Sequence, residues 1–256
     1  MRFGCSVGPE LIEAAAEAGY DYVELPVETV QPETPEAEFQ RVQEGLAGAA
    51  AKPEAWNHFP SAELRVCGPS LDWPRLARYA STALRRIAAL GGSVVVFDSG
   101  GSRSIPEDFD ARKARAQISD FLRLCAAMIH THGLILGIKP LDAGQSSLIN
   151  SLPEAVGFAR LAGAREVGVL ADCGQLAAGS HSPFDVTDAG LWLAHAHIGA
   201  ADLRPGAQAG DLTRDFLEAL RLADYDGRIS VEGDWTDPDR ELRSSLETLR
   251  QLWETH

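Results

Sequence analysis

Lys139 stands near the end of an apolar run, residues 134–141, that reads as a buried strand emptying into a loop. An ammonium in that position is strongly destabilising unless a carboxylate meets it. Two later apolar runs end on carboxylates, Asp172 after residues 167–171 and Glu232 after residues 229–231, and a third ends in His195 and His197. Side chains two apart on a strand share a face. The two histidines therefore point together, with His197 nearer the strand end, His195 one layer deeper, and Ala196 turned towards the covering helices. Lysine, aspartate, histidine and glutamate at four strand ends make one polar cluster. The oxygens and nitrogen of Asp172, His197 and Glu232 suit Mg²⁺, Mn²⁺ or Zn²⁺. Plainer roles remain open: a loop amide for Asp172, a salt bridge to Lys139 alone for Glu232, and a hydrogen-bonded core position for His195.

Other residues fall near the same strand ends. Arg204, just past His197, offers a guanidinium to a phosphate or a hydroxyl-rich ligand, or is an ordinary surface arginine. Trp56, Asn57, His58 and Phe59 close the third apolar run, and Trp235 follows Glu232. Aromatic faces at the mouth of a barrel suit the apolar side of a sugar or another cyclic ligand.

The elements that must position these residues alternate along the whole chain. Short apolar runs at 2–7, 22–27, 52–59, 93–99, 134–141, 167–173, 193–199 and 228–233 read as strands. Amphipathic stretches at 9–18, 36–50, 72–90, 110–131, 153–162, 211–223 and 237–254 read as helices, with the weakest helical signal between the sixth and seventh strands, around 184–191. Ser151, Asp72 and Thr236 stand just ahead of Pro153, Pro74 and Pro238 as helix starts, and Gly19, Gly133 and Gly163 mark helix ends. Eight strand-then-helix units predict a closed parallel (β/α)₈ barrel forming one domain over residues 1–256. The rival, an open doubly wound sheet, often has a glycine-rich first turn, which is missing here. Residues 60–71 read as an ordered insertion and 99–109 as a long loop, both at the C-terminal side of their strands, where barrel enzymes build their sites.

The chain has 256 residues, 45% hydrophobic and 23% charged, with a formal net charge of −14. That composition buries a core, and the acidic balance argues against a nucleic-acid binder. Cys5, Cys67, Cys125 and Cys173 are scattered, as for buried thiols in a reducing compartment. With no apolar run of membrane-spanning length and no secretory pattern at the N-terminus, a cytoplasmic protein without membrane partners is expected.

The chain resembles the xylose isomerase-like sugar-phosphate isomerase/epimerase superfamily, which includes hydroxypyruvate isomerases, ketose 3-epimerases and endonuclease IV-type enzymes. The resemblance rests on residues 94–103, Lys139-Pro140-Leu141, residues 148–151, residues 168–172, His195-Ala196-His197 and residues 225–232, in this order. It implies a (β/α)₈ barrel holding one divalent metal, and carbon-bound proton transfer by two glutamates. Carried over, Asp172, His197 and Glu232 match metal ligands, and Glu232 also matches a proton-transfer residue. The other glutamate falls on Lys139. A family histidine three residues after the aspartate is here Gln175, and a second glutamate in the strand-five loop is Gln145. Family barrels are often dimers or larger, so a homo-oligomer is expected.

Placing lysine where a carboxylate would grip the cation weakens or displaces the metal, by several kcal/mol at an effective dielectric of about 20. Three functions follow. One is a sugar, sugar-phosphate or hydroxy-keto acid isomerase or epimerase with Glu232 as base and His58, Gln175, His195, Arg204 and Trp235 around a small polyhydroxylated substrate. The second is a metal-free enzyme using Lys139 as an ammonium or as a Schiff-base nucleophile. The third is a non-catalytic barrel that binds a small polyol.

Overall fold

The computed structural model describes residues 1–178, 182–203 and 210–255. Eight parallel strands close into a barrel in sequence order: β1 (Arg2–Ser6), β2 (Tyr22–Pro26), β3 (Pro53–Phe59), β4 (Val94–Phe97), β5 (Ile135–Ile138), β6 (Val167–Asp172), β7 (Leu193–Gly199) and β8 (Arg228–Glu232). β8 pairs with β1 and closes the ring. Around it lie α1 (Ile12–Ala18), α2 (Glu36–Leu46), α3 (Trp73–Ala89), α4 (Gly100–Arg103), α5 (Ala111–His132), α6 (Leu152–Ala162), α7 (Cys173–Ala177), α8 (Pro183–Ala189), α9 (Gly210–Leu222) and α10 (Pro238–Glu254). All strands run the same way, so every strand C-terminus opens at one mouth.

The helix starts follow the local chemistry. Asp72, Asp110 and Ser151 accept hydrogen bonds from the backbone N–H groups of Arg75, Lys113 and Glu154. Ser182 and Asp185 form a reciprocal capping box that starts α8, the weakest of the helix signals. Two segments differ from expectation. The loop after β4 carries the single helical turn α4, and α7 begins directly after β6 because the Asp172 carboxylate accepts from the backbone of Gly174 and Gln175.

The core has two parts. A large apolar layer lies between strands and helices and includes Trp56, Phe59, Phe121 and Ala196. A smaller set fills the barrel interior: Tyr22, Ala55, Val94, Val96 and Leu170. Gly4 admits Tyr22 to that interior, since a Cβ at Gly4 would lie 2.3 Å from the tyrosine ring. Ala196 faces the helices and the flanking histidines face inward, as the strand period requires.

Trp56 and Phe59 correct the expectation of aromatic faces at the mouth. Both are fully buried, and Phe59 stacks on Tyr79 and Phe121. Asn57, between them, points inward to Ser6. The β3–β4 register is irregular between Trp56 and Phe59, and His58 adopts φ 60°. That twist breaks the alternation and turns Phe59 outwards.

Candidate active site

At the barrel mouth the Lys139 ammonium lies 2.7 Å from Asp172 Oδ2, 2.9 Å from Glu232 Oε2 and 3.1 Å from His197 Nδ1. Strand register brings the partners together: Asp172 pairs with His197 across β6 and β7, and Gly199 with Glu232 across β7 and β8. The other Asp172 oxygen, Oδ1, accepts from Gly174 N at 2.7 Å, so this carboxylate both starts α7 and faces the lysine.

Beneath this layer lies a second one that the strand-end pattern did not reveal. Glu24, fully buried on β2, is 2.8 Å from His195 Nε2 and 3.1 Å from His197 Nε2 through Oε2. Ser230 donates to the same oxygen at 2.6 Å, and the Tyr22 hydroxyl is 3.0 Å from Ser230 Oγ. His195 thus sits under His197, fully buried within this network rather than at the cavity. A carboxylate inside the apolar run 22–26 was the available signal that a buried partner existed.

The charges follow from the geometry. Burial alone would lower the His197 pKa, but Glu232 and Glu24 outweigh it and push it up to about 10. The charged ring lies 3.0 Å from Glu232 Oε1 through Nδ1, which is also 3.1 Å from the Lys139 nitrogen, and it pairs through Nε2 with Glu24. Burial leaves His195 lowered and neutral despite Glu24. Burial opposes ionisation of Glu24 and Glu232 too, yet His197 with His195 holds the first, and His197 with Lys139 the second, well below the usual carboxylate range. Lys139 is raised: burial would lower it, but Asp172, Glu232 and Asp98 prevail. It is an ammonium, which disfavours the Schiff-base role.

His197 makes the pH dependence testable. Its folded pKa exceeds the unfolded value near 6.5, so its contribution is complete below about pH 6.5 and is lost as pH rises through about 10. The wild-type melting temperature is expected to fall more steeply between pH 7 and pH 10 than that of His197→Gln. Parallel curves for the two proteins would remove the ion-pair role from His197.

A cavity of about 650 Å³ reaches the cluster at Glu232 and is lined by Ser6, Asn57, His58, Glu232, Trp235 and neighbouring residues. Trp235 donates from Nε1 to Ser6 O at 2.8 Å. His58 lies 3.8 Å from Glu28, and that carboxylate raises its pKa against partial burial. Gln175 is buried beside Asp172, with its side-chain oxygen unpartnered, and does not line this cavity. Arg204 lies outside the described residues. Asp98, which the sequence reading passed over, follows β4 at the same mouth with Oδ1 buried and unpartnered.

The donor atoms of Asp172, His197 and Glu232 lie within 4.8 Å of one another, as ligands of a single ion do. The ammonium stands among them at 2.7–3.1 Å. With Lys139 held there, the charge of a divalent ion among these donors would press directly against the ammonium. Glu24, His195 and His197 also converge, but their facing atoms are already spent on one another as hydrogen bonds.

Among the described residues no helix is long and apolar enough to cross a membrane. No curated protein matches the chain in sequence. Solved structures match in fold. D-psicose 3-epimerase with D-tagatose from Clostridium cellulolyticum H10 aligns at 19% identity over 99% of both chains, with TM-score 0.81. A D-psicose 3-epimerase crystallised in the presence of D-fructose gives TM-score 0.84 at 19% identity over 99% of both. The IOLI protein with a bound zinc atom gives 0.74 at 16% identity, covering 100% of this chain and 99% of that one. The family model described as xylose isomerase-like TIM barrel matches residues 12–252, nearly the whole chain, and the protein belongs to that family.

Proposed function

We propose that this barrel is an isomerase or epimerase that moves a proton beside the carbonyl of a small polyhydroxylated substrate, with the Lys139 ammonium in the place of a divalent metal. The observation that carries the reading is the position of Lys139, among three would-be ligands and under a cavity that Glu232 lines. The epimerase and sugar names of the structural neighbours support the substrate class.

An ammonium has three N–H donors. Its nitrogen meets Asp172 and Glu232 and also lies 3.1 Å from His197 Nδ1. To a carbonyl oxygen seated beside Glu232 it offers a fixed positive charge that stabilises the developing enolate. Glu232, about one third exposed, is the proton-transfer group. Held ionised by Lys139 and His197, it is a weak base, so it takes a proton only from a carbon that the ammonium has made acidic.

The test is solvent exchange. Wild-type protein is incubated in D₂O with a panel of ketoses and hydroxy-keto acids, once with EDTA and once with Mn²⁺. Deuterium is expected to enter the carbon beside the carbonyl equally in both. Exchange abolished by EDTA would make this a metal enzyme after all, and no exchange across the panel would leave a binding barrel.

A further inference from the structure

We propose that Asp98 is a second proton-transfer group of this mouth, set across the barrel from Glu232 to serve the opposite face of the reacting carbon. The inference rests on the isomerase or epimerase reading above. In the closed ring β4 and β8 lie on opposite sides, and Asp98 and Glu232 stand at their C-terminal ends. Inverting a carbon centre through a planar enediolate needs a proton taken from one face and another given to the other. A single carboxylate on one side does not supply both.

Asp98 is held in place without being used up. Arg103, fully buried on α4, donates to the carbonyl of Phe97 at 3.1 Å and to that of Lys139 at 2.6 Å. The guanidinium therefore ties the backbone just before Asp98 to the backbone of the lysine. Asp98 Oδ1 is nevertheless buried without a hydrogen-bond partner, whereas Asp172 and Glu232 at the same mouth are both paired with Lys139. An unmatched buried carboxylate oxygen is a standing destabilisation, and such groups gather where function requires them.

The facing charges suit an acid that is protonated part of the time. Burial raises the Asp98 pKa to about 6; Lys139 and His58 pull it down, while Glu232 and Glu24 push it up. Arg103 is the remaining charged neighbour, and burial lowers its own pKa to about 10. Across the same mouth Glu232 is bound to the Lys139 ammonium at 2.9 Å. A carboxyl group paired with a cation and one left without a partner divide into base and acid.

The step balances without a redox partner. Glu232 takes the proton from the carbon beside the carbonyl, and the C–H electron pair becomes the enediolate, whose oxygen faces the Lys139 ammonium. Protonated Asp98 then gives its proton to the opposite face of that carbon, forming the new C–H bond and leaving Asp98 ionised. Solvent removes the proton from Glu232 and returns one to Asp98. In the reverse direction the two carboxyl groups exchange roles.

Wild type, Asp98→Asn and Glu232→Gln are to be compared in D₂O with D-fructose, D-psicose and D-tagatose, following epimer formation by chromatography and carbon-bound deuterium by NMR. Asp98→Asn is expected to interconvert epimers roughly 100-fold more slowly while still washing deuterium into one epimer. Glu232→Gln is expected to keep exchange only in the other. Interconversion by Asp98→Asn at the wild-type rate would overturn the assignment and leave the wider reading standing. A wild type silent on these sugars and on the wider panel of ketoses and hydroxy-keto acids would overturn that reading and the assignment with it. Should Asp98→Asn fail to unfold cooperatively, Asp98→Glu decides. Its displaced carboxylate is expected to slow interconversion roughly tenfold with one-sided exchange retained, and an unchanged rate would refute the role.

Discussion

Lys139→Met is expected to destabilise the barrel by about 3–5 kcal/mol, as removal of one partner from a buried ion pair does. Methionine fills much the same volume, so the loss is electrostatic rather than a cavity effect. Asp172 and Glu232 would face each other, and both oxygens that now bind the ammonium at 2.7 and 2.9 Å would lose it. The lower end of the range applies because the Glu232 side chain is 34% exposed, and water takes up part of its charge. The sign of the pH effect follows. Lys139 helps to hold the Glu232 pKa down; without the cation, ionised Glu232 is less favoured in the fold, so the variant should recover ground against wild type as pH falls towards about 5. Urea denaturation at pH 7 and pH 5 measures both. A loss under about 1 kcal/mol at pH 7 would mean that the cluster does not depend on its lysine.

Lys139→Glu is expected to have the opposite relation to metal. The substitution changes the local charge by two units and removes the group that stands among the three donors. Without metal the variant should be less stable than Lys139→Met, since an added carboxylate faces Asp172, Glu232 and Asp98. With Mn²⁺ at about 100 times its dissociation constant, linkage returns about 2.7 kcal/mol. For a chain of this size that is a rise of roughly 5–10 °C in melting temperature. Wild type should show no such rise. Differential scanning fluorimetry against a Mn²⁺ series distinguishes the two proteins. An equal shift in wild type would mean that ion and ammonium coexist, and Lys139 would no longer stand in for the cation.

The barrel and the outer layer of the site were legible in the sequence for a common reason. Strands buried on both faces read as nearly continuous apolar runs, and charge is placed most readily where such a run ends. Lys139, Asp172, His197 and Glu232 each close a run, and parallel strands carry all four ends to one mouth. The inward direction of His195 and His197 followed from their spacing of two.

What only the tertiary structure decided depends on partners far away in the chain and on local breaks in period. Glu24 lies inside a strand, and its histidine partners are 171 and 173 positions away, a pairing that no local pattern contains. Trp56 faces the helices by plain alternation with Ala55, but Phe59 leaves the mouth because the β3–β4 register slips beside a left-handed His58, and a strand's inside and outside exchange wherever the alternation is interrupted. Asp98 follows an apolar run just as Asp172 does, so its type and place were visible. That one of its oxygens is buried without a partner, while Asp172 is fully engaged, is a matter of three-dimensional packing. Sequence determines which charges reach the mouth, because a charge elsewhere in a strand needs a buried partner; the fold determines which of them are neutralised and which are left free to act, because that is set by distances across the barrel.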